Sequence, residues 1–220
     1  MNHIITIDGP AGSGKSTISR ILAKKIGYSY LDTGAMYRAV ALVAKRNGVD
    51  FDDGKGLGIL CNSLNLRFDK DGDPPRLLLG KEDISILIRS PEMDMLSSKV
   101  SAVGEVREAM TGLQRKIAKG AGYVAEGRDM GTVVFPEAAW KFYLTASSDA
   151  RAGRRYEELL ERGEKALKNV VKTNLKKRDH QDRMRPLAPL KPAEDALIID
   201  STTLTIEEVV EVMLSYLKKS

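Results

Sequence analysis

Residues 3–17 read HIITIDGPAGSGKST. A short apolar run rich in β-branched residues ends at Gly9, a glycine-rich stretch follows, and Ile18, Ile21, Leu22 and Ile26 then recur at helical spacing. The predicted order is buried strand, tight turn, amphipathic helix, the opening of an α/β unit built on a parallel sheet. The turn satisfies G-x-x-x-x-G-K-[ST] at Gly9, Gly14, Lys15 and Ser16. Glycines let the backbone curl until successive N–H groups face an anion. A helix starting after Gly14 adds the positive end of its dipole. Lys15 brings a charge to the outer phosphates, and Ser16 offers a hydroxyl to Mg²⁺. Set between a strand and a helix, the motif points to a nucleotide triphosphate; alone it could be an incidental turn.

The same alternation continues. YSYLD, GYVAEG, WKFYLTA and ALIID read as further strands, and AMYRAVALVAKRNG as a helix closed by Gly48. Residues 52–88 differ: LNLRF and RLLLG flank DKDGDPP, which predicts a small hairpin insertion. Residues 91–119 read as polar helices closed by Gly120, and residues 151–185 as one or two charged helices interrupted near Gly163. Thr205 and Glu208 form a capping box for a last helix, whose stripe is Ile206, Val209, Val210, Met213, Leu214 and Leu217. There is no internal repeat and no low-complexity segment.

Composition narrows the classes. The 220 residues are 42% hydrophobic and 30% charged, as in globular chains rather than disordered ones. The lone Cys61 cannot form an internal disulfide and fits a reducing compartment, and two distant histidines give no zinc spacing. No apolar run approaches the ~20 residues of a membrane helix. The first residues lack the basic flank and long apolar core of a secretory signal, so a cytoplasmic location is expected. The net charge of +5 is concentrated: residues 151–185 hold 12 Lys/Arg against six Asp/Glu. That segment either faces an anionic partner or is a solvated helix surface.

A hydrolytic switch would need only the loop and water. Transfer to an acceptor needs a second site and a lid that excludes water. LDTGAMYR places Arg38 just past a strand end, and EGRDMGT places Arg128 and Asp129 in a Gly-flanked loop after another strand. Both are expected near the strand carboxyl ends, where open α/β sheets bind ligands. In KKRDHQDRMR, Arg178, Asp182 and Arg185 fall at i, i+4, i+7, and Arg151, Arg154 and Arg155 at i, i+3, i+4. Such arginines could neutralise charge on a phosphoryl group in flight, or form surface ion pairs.

These stretches carry a family resemblance. IDGPAGSGKST, LDTGAMYR, EGRDMGTVVFP, KFYLTAS, RRYEEL, KKRDHQDRMRPLAPL and ALIIDSTTLTIEEV run in order from residue 7 to 209 and resemble the bacterial cytidylate kinases of the nucleoside monophosphate kinase group. The resemblance implies a P-loop NTPase three-layer α/β fold on a five-stranded parallel sheet, with a monophosphate-binding insertion and a helical lid. The expected division is core 1–51, 119–150 and 186–220, insertion about 52–118, and lid about 151–185. It implies transfer of a phosphoryl group from ATP, with Mg²⁺, to CMP or dCMP. ATP would lie on Gly9, Pro10, Ala11, Gly12, Ser13, Gly14, Lys15, Ser16 and Thr17, with Arg154 and Arg155 in the lid. Thr33 would line the acceptor site, and Ser98, Arg107 and Asp129 would read the cytosine. Arg178 and Asp182 would hold the ribose, and Arg38, Arg128 and Arg185 the acceptor phosphate. Lys15, Arg128, Arg178 and Arg185 would carry the catalysis. The family also shows Asp at Glu126 and Ser at Thr33; both swaps keep the functional group. Glu126 either supports Mg²⁺ through water or simply ends a strand.

The chemistry is coherent. Cytosine presents an amine as donor and a ring nitrogen and carbonyl as acceptors, matched by a carboxylate, an arginine and a hydroxyl. Uracil would set a carbonyl against Asp129, a mismatch of roughly 1–3 kcal/mol. Rival readings fare worse. A kinase for UMP, AMP or shikimate would not need this cytosine-reading set. A GTPase switch would want N-K-x-D, and no Asn-Lys pair occurs. A nucleic-acid ATPase would want aromatic residues beside the basic segment, and none cluster there. A monomer acting on small molecules, without nucleic acid or membrane, is expected.

Overall fold

The computed structural model describes residues 3–69 and 72–218. The elements run β1 (Ile4–Asp8), α1 (Lys15–Ile26), β2 (Ser29–Asp32), α2 (Thr33–Arg46), α3 (Gly54–Ser63), β3 (Leu66–Asp69), β4 (Arg76–Leu79), β5 (Glu82–Asp83), α4 (Pro91–Val100), α5 (Gly104–Ile117), β6 (Tyr123–Gly127), β7 (Trp140–Thr145), α6 (Ser148–Glu161), α7 (Lys168–Met184), β8 (Leu197–Asp200) and α8 (Ile206–Leu217). A 3-10 turn spans Leu87–Arg89 and a π-helical turn Met130–Val134. The chain divides into two compact units, Met1–Leu31 with Gly120–Ser220, and Asp32–Lys119.

The first unit carries the five-stranded parallel sheet, in the order β2-β6-β1-β7-β8. β1 is central and pairs in parallel with β6 (Ile5 opposite Val124) and with β7 (Ile7 opposite Phe142). All five residues of β1 are buried, as the unbroken apolar run requires of a strand covered on both faces. Ile5, Ile7, Leu22, Val124, Phe142, Leu144, Val210 and Met213 form the core between the sheet and helices α1 and α8. Each such side chain contributes about 1.5–3 kcal/mol on burial. The Thr205–Glu208 capping box is formed in both directions. Of the expected α8 stripe, Val209, Val210 and Met213 are buried, whereas Ile206 is exposed at the first turn.

The basic segment folds as two helices in this same unit. α6 ends at Glu161 and Gly163 follows with φ +73°, a left-handed turn that stops the helix. α7 ends at Met184, one residue short of Arg185, because Pro186 drives its predecessor out of the helical region (Arg185 ψ 137°). Arg185 therefore leaves the helix face that it would share with Arg178 and Asp182 in a longer helix.

The second unit holds α2 to α5 and a small antiparallel sheet, β3-β4-β5. The expected hairpin is present, with Leu66 opposite Leu79 and Phe68 opposite Leu77. Lys70 and Asp71 of its turn lie outside the described residues. Two elements are additional: the two-residue strand β5, and helix α3 where only strands were expected. Ala35 and Ala39 of α2 pack against Leu66, Leu77, Ile84 and Ile88 as this unit's core.

Candidate active site

The glycine-rich loop leaves β1 at its carboxyl end, where the central strand of an open sheet opens to ligand. Gly9 is fixed by space as well as by conformation. Its φ is +150°, and a Cβ there would lie 2.0 Å from the carbonyl oxygen of Leu144 on the neighbouring β7. Gly14 caps α1, so Lys15, Ser16 and Thr17 form the helix's first turn and their N–H groups face outward at the positive end of the dipole. Ser16 is exposed; Lys15 is buried, its Nζ donating to the Pro10 carbonyl at 2.7 Å and to Ser13 Oγ at 3.4 Å. Burial first, and then the charge of Arg128, lower the Lys15 ammonium to a pKa of about 7; Glu126 and Asp8 pull the other way and Arg178 adds to the lowering. Asp8 lies opposite Gly127 in the sheet register, so the phosphate loop and Arg128 follow neighbouring strand ends, and the charges of Arg128 and Arg178 are felt at Lys15.

Arg128 and Asp129 follow directly on β6. Arg128 Nε donates to Asp182 Oδ2 at 2.9 Å. Burial opposes the Arg128 charge, but Asp182, Asp179 and Glu126 hold its pKa above the ordinary arginine value. Burial likewise opposes the Asp182 charge, and Arg128, Arg178 and Arg185 hold its carboxyl below the usual range. Asp129 is buried and accepts from Arg185 Nη2 at 3.3 Å, while Arg185 Nε donates to the Ala188 carbonyl at 2.7 Å. Glu126 is buried and accepts a short hydrogen bond from the Tyr30 hydroxyl.

Asp8, last residue of β1, escaped the sequence reading. It is buried, and its two carboxylate oxygens accept the N–H groups of Met130 and Gly131, each at 2.8 Å. It thereby pins the π-helical turn that follows Arg128 and Asp129. Burial drives its pKa to about 7, with Asp129 adding and the two N–H groups and Lys15 subtracting. The one available signal is position: an acid ending an otherwise apolar strand, just before the phosphate loop.

The three arginines of α6 have separate partners. Arg151 is buried and bonded to the Ala11 and Ala146 carbonyls and to Asp179. Arg154 donates to Ser201 Oγ at 3.0 Å, to the Ser201 carbonyl at 2.5 Å and, at 3.5 Å, to the Ser13 carbonyl. Arg155 Nη1 donates to Glu158 at 2.6 Å.

In the second unit Asp32 caps α2, accepting from the Ala35 N–H at 2.8 Å, and also accepts from Arg38 Nη2 at 3.3 Å. Arg38 lies 3.8 Å from Asp94 of α4. Thr33 is buried at the start of α2, and Ser98 is buried on α4. Arg107 of α5 is buried, donates to the Ser101 carbonyl at 3.2 Å, and sits 5.9 Å from the centre of the Tyr37 ring.

Comparison with known proteins decides the family. The profile described as Cytidylate kinase matches residues 5–219. The chain belongs to the cytidylate kinase family. A cytidylate kinase of Citrifermentans bemidjiense is 50% identical over 216 residues, covering 98% of this chain and 93% of that protein. One from Geobacter sp. (strain M21) is 51% identical over 210 residues, covering 96% and 90%. Among solved structures, an uncharacterized protein from Eubacterium ventriosum aligns over 100% of both chains with a TM-score of 0.55 at 12% identity, a likeness of fold alone. This cytidylate kinase family member is thus an ATP-dependent nucleoside monophosphate kinase.

Its residues suit Mg²⁺ carried in with the nucleotide. Among the described residues no group of three or more His, Cys, Asp or Glu could cage a metal. An exposed Ser16 hydroxyl beside Lys15, with phosphate oxygens and water completing the shell, is the usual environment for this ion. No helix among the described residues is long and apolar enough to cross a membrane.

Proposed function

We propose that the chain transfers the γ-phosphoryl group of ATP to CMP or dCMP, giving ADP and CDP or dCDP. The observation that carries this reading is the phosphate loop and Arg128 following paired strand ends, Asp8 opposite Gly127, inside a chain that matches the family from residue 5 to 219. Residues Gly9 to Thr17 wrap the donor phosphates, and Lys15 neutralises charge on the outer two. Ser16 would hold the Mg²⁺ that enters with ATP, and the ion would supply further charge neutralisation. Arg128, Arg178 and Arg185 spread charge over the transferred group and the acceptor phosphate. Arg38 joins them on the acceptor phosphate, and Thr33 lines that site. Asp182 takes the ribose hydroxyls. Asp129 accepts from the cytosine amine, and Arg107 and Ser98 donate to its acceptor atoms.

No side chain has to act as a strong base, because the acceptor phosphate oxygen is ionised at neutral pH. Positioning, charge and exclusion of water carry the rate. Helices α6 and α7 serve as the lid, with Arg154 and Arg155 on the ATP side, and residues 52–118 as the acceptor-binding insertion. The enzyme works as a cytoplasmic monomer on small molecules.

The experiment is a coupled ADP-release assay with ATP, Mg²⁺ and each of CMP, dCMP, UMP, AMP and shikimate. Turnover concentrated on CMP and dCMP is expected. Turnover with none of the five, despite measurable ATP binding, would end this reading.

A further inference from the structure

The phosphate loop is gripped at its middle. The Ala11 N–H donates to Asp179 Oδ1 at 3.3 Å, and the Ala11 carbonyl accepts from Arg151 Nη1 at 2.9 Å. The two side chains close on each other through Arg151 Nη1 and Asp179 Oδ2 at 2.5 Å, and both are buried. Arg151 Nε is tied in turn to the Ala146 carbonyl at 3.0 Å. α6 presses on the loop directly as well: a Cβ on Gly12, whose φ is +74°, would lie 2.9 Å from the Arg151 carbonyl oxygen. Beneath the pair, Ala11 shares an apolar cluster with Ala152 and Leu159 of α6 and Val171 and Leu175 of α7.

A buried ion pair is weak evidence for stability, since desolvation offsets most of its attraction. What this pair does supply is geometry. Both polar backbone groups of one loop residue are fixed by side chains from two helices. The helix giving Asp179 also gives the acceptor site its residues. Asp179 and Asp182 stand at i and i+3 on α7, so one helical turn holds the donor loop at Ala11 and the acceptor arginine Arg128. A shift of α7 cannot adjust one contact without moving the other.

We propose that Asp179 and Arg151 are positioning residues that set the phosphate loop through Ala11, and that α7 thereby couples ATP binding to acceptor binding. This rests on the acceptor assignment given above. Acceptor nucleotide on Arg128, Arg178 and Asp182 favours one placement of α7. That same placement presents the loop to the donor phosphates. Coupling of this kind is reciprocal in binding free energy.

The test is calorimetric titration of a non-hydrolysable ATP analogue into the full-length chain, with and without saturating CMP, for wild type and Asp179→Asn. In wild type CMP is expected to tighten analogue binding at least about fivefold. Asp179→Asn is expected to bring the ratio below about twofold and to raise KM for ATP more than it lowers kcat. Arg151→Lys, which keeps the charge but loses the fork, is expected to fall between them and serves if Asp179→Asn fails to fold. A purely structural role would weaken both nucleotides alike and leave the ratio intact. An unchanged ratio in folded variants, or no coupling in a wild type that phosphorylates CMP, overturns this inference alone. Wild type that binds no CMP overturns the acceptor reading as well.

Discussion

Asp129 is placed to be judged by its consequences. It is 2% exposed, and its charge faces Arg185. Asp129→Ala removes the acceptor proposed for the cytosine amine and leaves an arginine with one partner fewer. The preference for CMP over UMP, as a ratio of kcat/KM, is expected to fall tenfold or more, corresponding to roughly 1–3 kcal/mol. Affinity for ATP alone is expected to stay within about twofold. An unchanged preference would sink the base-reading role. Gly9 gives a sharper steric case. Gly9→Ala puts a methyl group 2.0 Å from a β-strand carbonyl, so either the loop or β7 must move. Loss of soluble folded protein, or a drop in denaturation midpoint worth several kcal/mol, is expected. Wild-type stability in that variant would mean that the loop relaxes freely.

At the scale of elements, legibility followed the range of the interactions. β1, α1 and α8 were readable because their signals are local: an apolar run, a spaced stripe, a capping box. Helix α3 was not. Its sequence begins GKGLG, and glycine disfavours helices by about 1 kcal/mol per residue. The structure shows what offsets that cost. Cβ atoms on Gly54 and Gly58 would each lie 2.9 Å from the Glu105 side chain of α5, so these glycines allow two helices to approach while Leu57, Leu60 and Cys61 are buried. That partner lies about fifty residues on, beyond any local pattern. The π-helical turn at Met130–Val134 was hidden for the same reason, since the carboxylate that takes its N–H groups is Asp8, 122 residues earlier by the nearer pairing. The site divides likewise. Lys15, Arg128 and Asp182 stand in motifs that also suggest what they bind, whereas Asp8, Arg151 and Asp179 lie in or beside the same stretches but bond to backbone groups distant in sequence, which no local pattern announces. The capping box offers a clean check at this scale. Thr205→Ala is expected to cost about 1 kcal/mol, seen as a lower urea midpoint at constant slope, with CMP turnover unchanged. A change in turnover would show that α8 does more than cover the sheet.

Across the whole molecule, two buried groups near the phosphate loop tie stability to pH with opposite signs. The Asp8 pKa rises on folding from about 3.8 to about 7. Between those values the folded chain keeps a proton that the unfolded chain has lost, so this contribution to stability falls as pH rises toward 7 and is gone above it. The Lys15 pKa falls on folding from about 10.5 to about 7. Between those values the unfolded chain holds the extra proton, so this contribution grows as pH rises above 7 and is lost as pH falls through it. Together they place a shallow minimum near neutrality. Urea titrations from pH 5.5 to 9 are expected to show it, and Lys15→Met is expected to flatten the arm above pH 7. ATP reverses the Lys15 effect, because its phosphates stabilise the ammonium. Binding at pH 7.5 to 8 is therefore expected to take up a fraction of a proton, read as a dependence of the calorimetric enthalpy on buffer ionisation enthalpy. The uptake should shrink toward pH 6, where Lys15 is already charged. Proton uptake that is absent at pH 8, or that grows on acidification, would mean that neither burial nor the neighbouring arginines lower the Lys15 pKa and that it stays fully charged in its buried place.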